Sequence, residues 1–191
     1  QRLSVQSTSD QTDYRQYASI AAMAATAAAP EQQAIWSYPR VEGDEEETVF
    51  NMVNAMLFRV HQSGFLNRLP ESSFRQVKEG LACYKRIRNA VREGLPVFPL
   101  GQLPLHAPWA AYGVRYGRDL YLSVWRIHSP ESTVRMPLEC LKGKAAAVTC
   151  LYPQGLPVSF NWKEETGELA VTLDTPYTAR LFHFVLQQEE D

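Results

Sequence analysis

Gln6-Ser7-Thr8-Ser9-Asp10-Gln11-Thr12-Asp13 is the stretch of this chain best suited to chemistry. It is polar and lies between a short alternating run (Leu3, Val5) and a long helical run beginning near Thr12. A strand that ends in a polar loop and hands over to a helix is the layout of a β/α barrel, whose catalytic side chains stand at the C-terminal ends of the strands. Asp10 occupies the place of a general acid/base, a carboxyl able to give a proton and take one back. The competing reading is a helix cap, because Asp, Ser and Thr side chains satisfy the orphan N–H groups of a first turn. Thr12 directly precedes the helical run and is the better cap, which leaves Asp10 without a structural duty.

The elements that must position this loop follow in order. Thr12–Ala29 contains no Gly or Pro until Pro30 stops it, and its many alanines favour a helix wedged closely among neighbours. Ala34–Tyr38 is a short strand candidate; Trp36 or Tyr38 offers a ring to stack on a sugar face or, alternatively, to pack in the core. The acidic run Asp44–Glu47 leads into a helix near Thr48–Phe58, where the negative charges suit a helix N-terminus and Asp44 with Glu47 fits a capping box. Phe58–Gln62 reads as another strand closed by Ser63-Gly64, with His61 at its end as a lone, structural histidine. Pro70–Glu93 is the clearest helix, with Phe74, Val77, Leu81, Tyr84, Ile87 and Val91 tracing one face.

After residues 95–104, rich in Pro and Gly and read as a linker, the apolar period changes from 3.6 to 2. Seven strand candidates follow: Ala110–Tyr116, Asp119–Ile127, Thr133–Cys140, Ala145–Tyr152, Val158–Lys163, Glu168–Asp174 and Arg180–Leu186. Val158, Phe160 and Trp162 face Leu169, Val171 and Leu173 across the turn at Gly167. Short strands at this spacing form a small antiparallel β-sandwich. The expected class is therefore α/β plus all-β: residues 1–94 as the last β/α units of a (β/α)8 barrel, 105–187 as the sandwich, and 188–191 as an acidic tail.

Composition narrows the partners. The chain has 191 residues, 45 % of them hydrophobic, and a net charge of −2. No basic field is available for a nucleic-acid backbone, and no apolar run reaches the ~20 residues needed to cross a bilayer. The odd count and wide spacing of the three cysteines, Cys83, Cys140 and Cys150, argue against a disulfide scaffold and against a zinc site. A turn around Lys142-Gly143 would pair Cys150 with a residue near Arg135 and not with Cys140. No cofactor or metal is implied. The chain opens on Gln1 directly before a strand-like run, so it reads as a piece of something longer.

Several motifs, in this order, resemble the C-terminal part of glycoside hydrolase family 36, the α-galactosidases and their raffinose-synthase relatives. Ser9-Asp10-Gln11-Thr12-Asp13 is similar to the family's Ser-Asp-x-Thr-Asp signature. Pro30-Glu31-Gln32 with Trp36-Ser37-Tyr38-Pro39, then Asn51-Met52-Val53-Asn54-Ala55 leading to Arg59 and Ser63-Gly64, follow the family's order. So do Tyr84-Lys85-x-Ile87-Arg88 and Leu122-x-Val-Trp125-Arg126. The resemblance implies that Asp10 is the general acid/base of a retaining enzyme acting on α-galactoside oligosaccharides. It further implies that the nucleophile lies in a Lys-x-Asp motif on an earlier strand. Neither that motif nor the family's Cys-Ser-Gly-Gly loop is present here, so the chain alone is expected to be inactive. Many members continue Thr-Asp-x-x-x-Arg, whereas this chain reads Thr12-Asp13-Tyr14-Arg15-Gln16, the mark of a divergent branch. Two other classes stand beside this one. A carbohydrate-binding module would use Trp109, Trp125, Trp162 or the tyrosines as stacking platforms. A structural or homo-oligomerising scaffold would use bare apolar surface.

Overall fold

The computed structural model describes residues 4–187. Leu3 of the first alternating run and the tail at 188–191 lie outside the described residues. Three β/α units come first. Strand β1 (Gln6–Ser7) leads to helix α1 (Tyr14–Ala24), β2 (Gln33–Ser37) to α2 (Glu45–Met56), and β3 (Arg59–Gln62) to α3 (Glu71–Glu93). The three strands form one parallel sheet in the order β1-β2-β3, with Gln6 opposite Gln33 and Ala34 opposite Arg59.

Helix α1 is capped by Asp13, whose Oδ1 accepts from the Arg15 amide at 2.9 Å. The expected cap, Thr12, is one residue too early, and a carboxylate is the stronger acceptor. At α2, Asp44 Oδ1 accepts from the Glu47 amide at 2.8 Å. The Glu47 carboxylate does not complete the box but binds Arg40 through Nε at 2.6 Å and Nη2 at 2.5 Å.

Helix α2 is buried along nearly its whole length. It lies between α1, α3, β2 and the large sheet described below, which explains why Val49, Phe50, Met52, Val53, Ala55 and Met56 surround it with apolar surface. Helix α3 approaches this core so closely that a Cβ on Gly80 would stand 2.8 Å from the Met52 Cε. Small residues therefore face inward (Ser73, Gly80, Cys83, Ala90) alongside Val77, Ile87 and Val91. Phe74, expected on that face, is 40 % exposed instead.

Strands β4 (Leu95–Val97), β5 (Trp109–Tyr116), β6 (Asp119–Arg126), β7 (Thr133–Pro137), β8 (Ala146–Tyr152), β9 (Ser159–Lys163), β10 (Glu168–Thr172) and β11 (Thr178–Leu186) build two sheets. The larger has the order β4-β5-β6-β11-β8 and the smaller β7-β10-β9. Leu95–Val97, within the stretch read as a linker, is thus an edge strand paired with Gly113–Arg115. The expected partnership of Cys150 with residues near Arg135 does not occur. β7 pairs with β10 and β8 with β11, so the intervening chain crosses between sheets through a 3-10 turn at Glu139–Leu141. The expected β9–β10 pairing holds, with Leu169 opposite Trp162 and Val171 opposite Phe160.

The central strands of the larger sheet are buried on both faces. Ala110, Tyr112, Val114, Trp125 and Leu181 join the helices in one core. Ala111, Leu122, Val124, Phe182 and Phe184 join Met136, Leu169 and Val171 of the smaller sheet in the other. Double burial accounts for the nearly continuous apolar runs of β5 and β6, a pattern seen when a strand has no solvent face. Arg126, buried at the end of β6, donates to the carbonyls of Leu173 (2.6 Å) and Ser129, locking two sandwich loops together.

Candidate functional site

The C-terminal tips of the parallel strands meet along one rim. The loop after β1 is tied down from several sides. Thr8 Oγ1 donates to Gln33 Oε1 at 2.7 Å, and the Thr8 amide donates to the Ala34 carbonyl at 3.1 Å. Ser9 Oγ accepts from the Gln11 amide at 3.1 Å, Gln11 Oε1 accepts from the Asp13 amide at 2.9 Å, and Gln11 Nε2 donates to Gln16 Oε1 at 3.1 Å. Tyr17, buried beneath the loop, donates its hydroxyl to the Ser9 carbonyl at 3.4 Å and accepts from the Trp36 amide at 3.3 Å. One phenol thus joins the loop after β1 to the end of β2.

On this framework Asp10 stands exposed, between neighbours held by hydrogen bonds. It lies within electrostatic reach of two phenols. Burial pushes the Tyr17 hydroxyl up and the Asp10 charge adds to the effect, and the same two causes act at Tyr38.

The next strand tip supplies aromatic surface. Trp36 and Tyr38 stack with ring centroids 5.8 Å apart at 16°, and both are partly exposed. The Trp36 indole N–H donates to Ser7 Oγ at 3.1 Å. His61, from β3, sets its ring at 87° to Trp36 with centroids 5.0 Å apart. Asp10, Trp36, Tyr38 and His61 therefore come from three successive strand ends onto one edge. Tyr17 had no signal in the sequence and Ser7 appeared only as part of the polar stretch, because their roles depend on which strand lies beside which.

The other nearby carboxylates are engaged elsewhere: Asp13 and Asp44 as caps, Glu47 with Arg40. With these engaged, Asp10 is left as a carboxyl without a side-chain partner at this rim among the described residues, and bond cleavage by a carboxylate pair needs a second group. Among the described residues no cluster of three or more His, Cys, Asp or Glu suits a metal ion. Among the same residues no helix is long and apolar enough to cross a membrane. The sandwich offers little as a sugar platform: Trp109 and Trp125 are buried, and Trp162 packs edge-on against Phe184 at 5.4 Å.

No sequence-family model matches this chain, and no curated protein matches it in sequence. Solved structures do match in fold. The A355E variant of the GH36 α-galactosidase AgaA of Geobacillus stearothermophilus, in complex with 1-deoxygalactonojirimycin, superposes with TM-score 0.74 at 14 % identity, over 94 % of this chain and 25 % of that one. The α-galactosidase of Lactobacillus brevis gives TM-score 0.67 at 12 % identity, over 96 % and 26 %. An Anoxybacillus α-amylase gives 0.55 at 12 %, over 76 % and 33 %. At these identities the likeness establishes the fold, including the sandwich of the C-terminal region of GH36 enzymes. The chain spans about a quarter of the length of the galactosidases it matches.

Proposed function

We propose that this chain is the C-terminal portion of a retaining glycoside hydrolase that cleaves terminal α-galactosides of the melibiose and raffinose type, with Asp10 as its general acid/base. The observation that carries this reading is the position of Asp10. It is an exposed carboxyl with no structural duty, on a firmly tied loop at the tip of a parallel strand, within electrostatic reach of Tyr38, whose ring stacks on Trp36. The three β/α units are, in this reading, the last units of a (β/α)8 barrel. AgaA variants crystallised with raffinose and with stachyose support the substrate class.

In the first step a carboxylate from the upstream portion attacks the anomeric carbon while Asp10 gives its proton to the departing oxygen. In the second, the Asp10 carboxylate takes a proton from water, and the resulting hydroxide displaces the enzyme from the sugar. The two carboxyls must then lie about 5–5.5 Å apart. The fixed loop fits this role, since an acid/base must keep its aim through both steps.

The test is Asp10→Ala in the full-length protein. Turnover of raffinose, whose leaving group needs a proton, falls by roughly 10²–10⁴. An activated aryl α-galactoside is spared in the first step, and added azide accelerates its turnover and yields α-galactosyl azide. Equal turnover of both substrates by variant and parent would refute the assignment.

A further inference from the structure

Four strands form the edges of the two sandwich sheets: β4 and β8 of the larger, β7 and β9 of the smaller. An edge strand leaves a row of backbone N–H and C=O groups open to pairing with another chain, and proteins guard such rows with charge, proline or brevity. β4 is three residues long with Pro96 at its centre. β7 carries Arg135 and ends on Pro137, and β9 ends on Lys163. β8 has none of these guards. Its seven residues, Ala146–Tyr152, include no charge and no proline.

The register shows which backbone groups are open. The Gln187 amide donates to the Ala145 carbonyl at 2.9 Å; further along, Ala147 stands opposite Val185 and Thr149 opposite His183. Hydrogen-bonded pairs alternate in an antiparallel ladder, so Ala147 and Thr149 spend their backbone groups on β11. Ala146, Val148 and Cys150 direct theirs to the opposite edge, where β8 pairs with no strand among the described residues. The strand is anchored in this position. Tyr152 at its end is buried and donates its hydroxyl to the Gln76 carbonyl of α3 at 3.1 Å. The exposed side chains along the edge, Ala147 and Thr149, are small and leave room for a neighbouring strand.

A strand of the same sequence, running antiparallel, satisfies this edge completely. With the axis at Val148, that residue meets its own copy and Ala146 meets Cys150, so the open N–H and C=O groups of both strands are paired together. No charge meets its like across the axis. We propose that β8 pairs with β8 of a second copy of this chain, joining the two larger sheets into one across a two-fold axis. The contact is isologous, and Pro96 keeps the far edge at β4 from adding further copies, so the assembly closes as a dimer. The proposal does not rest on the hydrolase reading.

The test is sedimentation velocity with hydrogen exchange on the full-length protein over a wide range of concentration. A monomer–dimer equilibrium is expected, in which the amides of Ala146, Val148 and Cys150 exchange more slowly as dimer forms. Ala146→Pro removes an open N–H without touching the β11 ladder, and Thr149→Lys places like charges near the axis. Each should weaken dimerisation at least tenfold while the unfolding midpoint of the dilute protein stays unchanged. Ala147 of one copy would face Thr149 of the other, so the double variant Ala147→Cys/Thr149→Cys should give a disulfide-linked dimer on oxidation. A protein monomeric at every concentration, a dimer indifferent to both Ala146→Pro and Thr149→Lys, or open-ended polymers would overturn the proposal. Slow exchange of the three amides in a monomer would overturn it too, by showing that another segment of the same polypeptide covers the edge. Turnover of α-galactosides enters none of these readouts, so the hydrolase reading stands or falls separately.

Discussion

Arg180 on β11 and Glu46 in the first turn of α2 form a two-point ion pair across 134 residues of sequence, with Nη1–Oε2 at 2.8 Å and Nη2–Oε1 at 2.7 Å. The Arg180 side chain is 2 % exposed and that of Glu46 is 29 % exposed. Arg180 also donates to the Pro157 carbonyl at 2.9 Å, so one guanidinium fastens the second β/α unit to the sandwich. Glu46→Ala leaves the buried guanidinium without its counter-charge. Removing one partner of a fully buried pair costs roughly 3–5 kcal/mol; partial exposure of Glu46 brings the expected loss to about 2–3 kcal/mol. Replacing both residues by apolar ones of similar size should cost less than Glu46→Ala alone. Urea unfolding of the three proteins measures the order.

Trp36 should serve the substrate more than the fold, because it is partly exposed and packs on Tyr38 and His61 and not in the main cores. An aromatic contact contributes about 0.5–1.5 kcal/mol beyond area. Trp36→Ala in the full-length protein is therefore expected to raise KM for raffinose about tenfold while kcat falls little. Steady-state kinetics checks this, and a collapse of the unfolding midpoint instead would return Trp36 to a structural role.

Gly94 closes α3 where the helix end meets β5. A Cβ there would lie 2.4 Å from Val114 Cγ1, 2.5 Å from the Ala90 carbonyl oxygen and 2.8 Å from that of Arg115. Two of those neighbours are backbone and cannot swing aside. Gly94→Ala should destabilise by about 1–3 kcal/mol, as overpacking does. Gly101→Ala tests a different cost, since its Cβ would meet nothing within 4 Å and only its φ of 65 is unfavourable. Thermal unfolding of the pair separates steric from conformational strain.

Burial pushes the thiols of Cys83 and Cys150 up to about 11. An unfolded thiol ionises near about 8.5. With the folded value above the unfolded one, the unfolded chain holds fewer protons between the two. Stability from these thiols is therefore complete below about pH 8.5 and falls as the pH rises toward the folded value. Denaturant unfolding at pH 7.5 and pH 10 should show a lower free energy at the higher pH. Cys83→Ala with Cys150→Ala should make that fall shallower. At neutral pH both native thiols should resist alkylation.

Much of the local structure could be read before any coordinates. The second and third helices lie where the acidic cap at Asp44 and the stop at Gly94 put them, within a few residues, whereas α1 ends at Ala24, short of the expected Ala29. The β9–β10 hairpin follows from alternation and the turn at Gly167. What escaped were features set by neighbours distant in the chain. Arg180 opens a strand candidate, and nothing local to it marks Glu46 as its partner. Phe74 reads as core until the close approach of α3 turns small residues inward. Strand partners β7 with β10 and β8 with β11 cannot be chosen by turn chemistry at Gly143, because the chain there changes sheets. At the candidate site, Asp10 was visible from its polar loop, whereas Tyr17, the tether beneath it, was not.

The sequence by itself determined where each helix and most strands run, and that Asp10 sits in a polar loop with no capping work to do. Those are matters of propensity, period and turn chemistry, which act over a few residues. Only the tertiary structure decided that Asp10, Trp36, Tyr38 and His61 share one rim, that β5 and β6 are covered on both faces, and that Arg180 is buried against Glu46. Each of these is a meeting of segments tens to more than a hundred residues apart, selected by shared burial and by pairing of charges, and such choices are written in no local stretch of the chain.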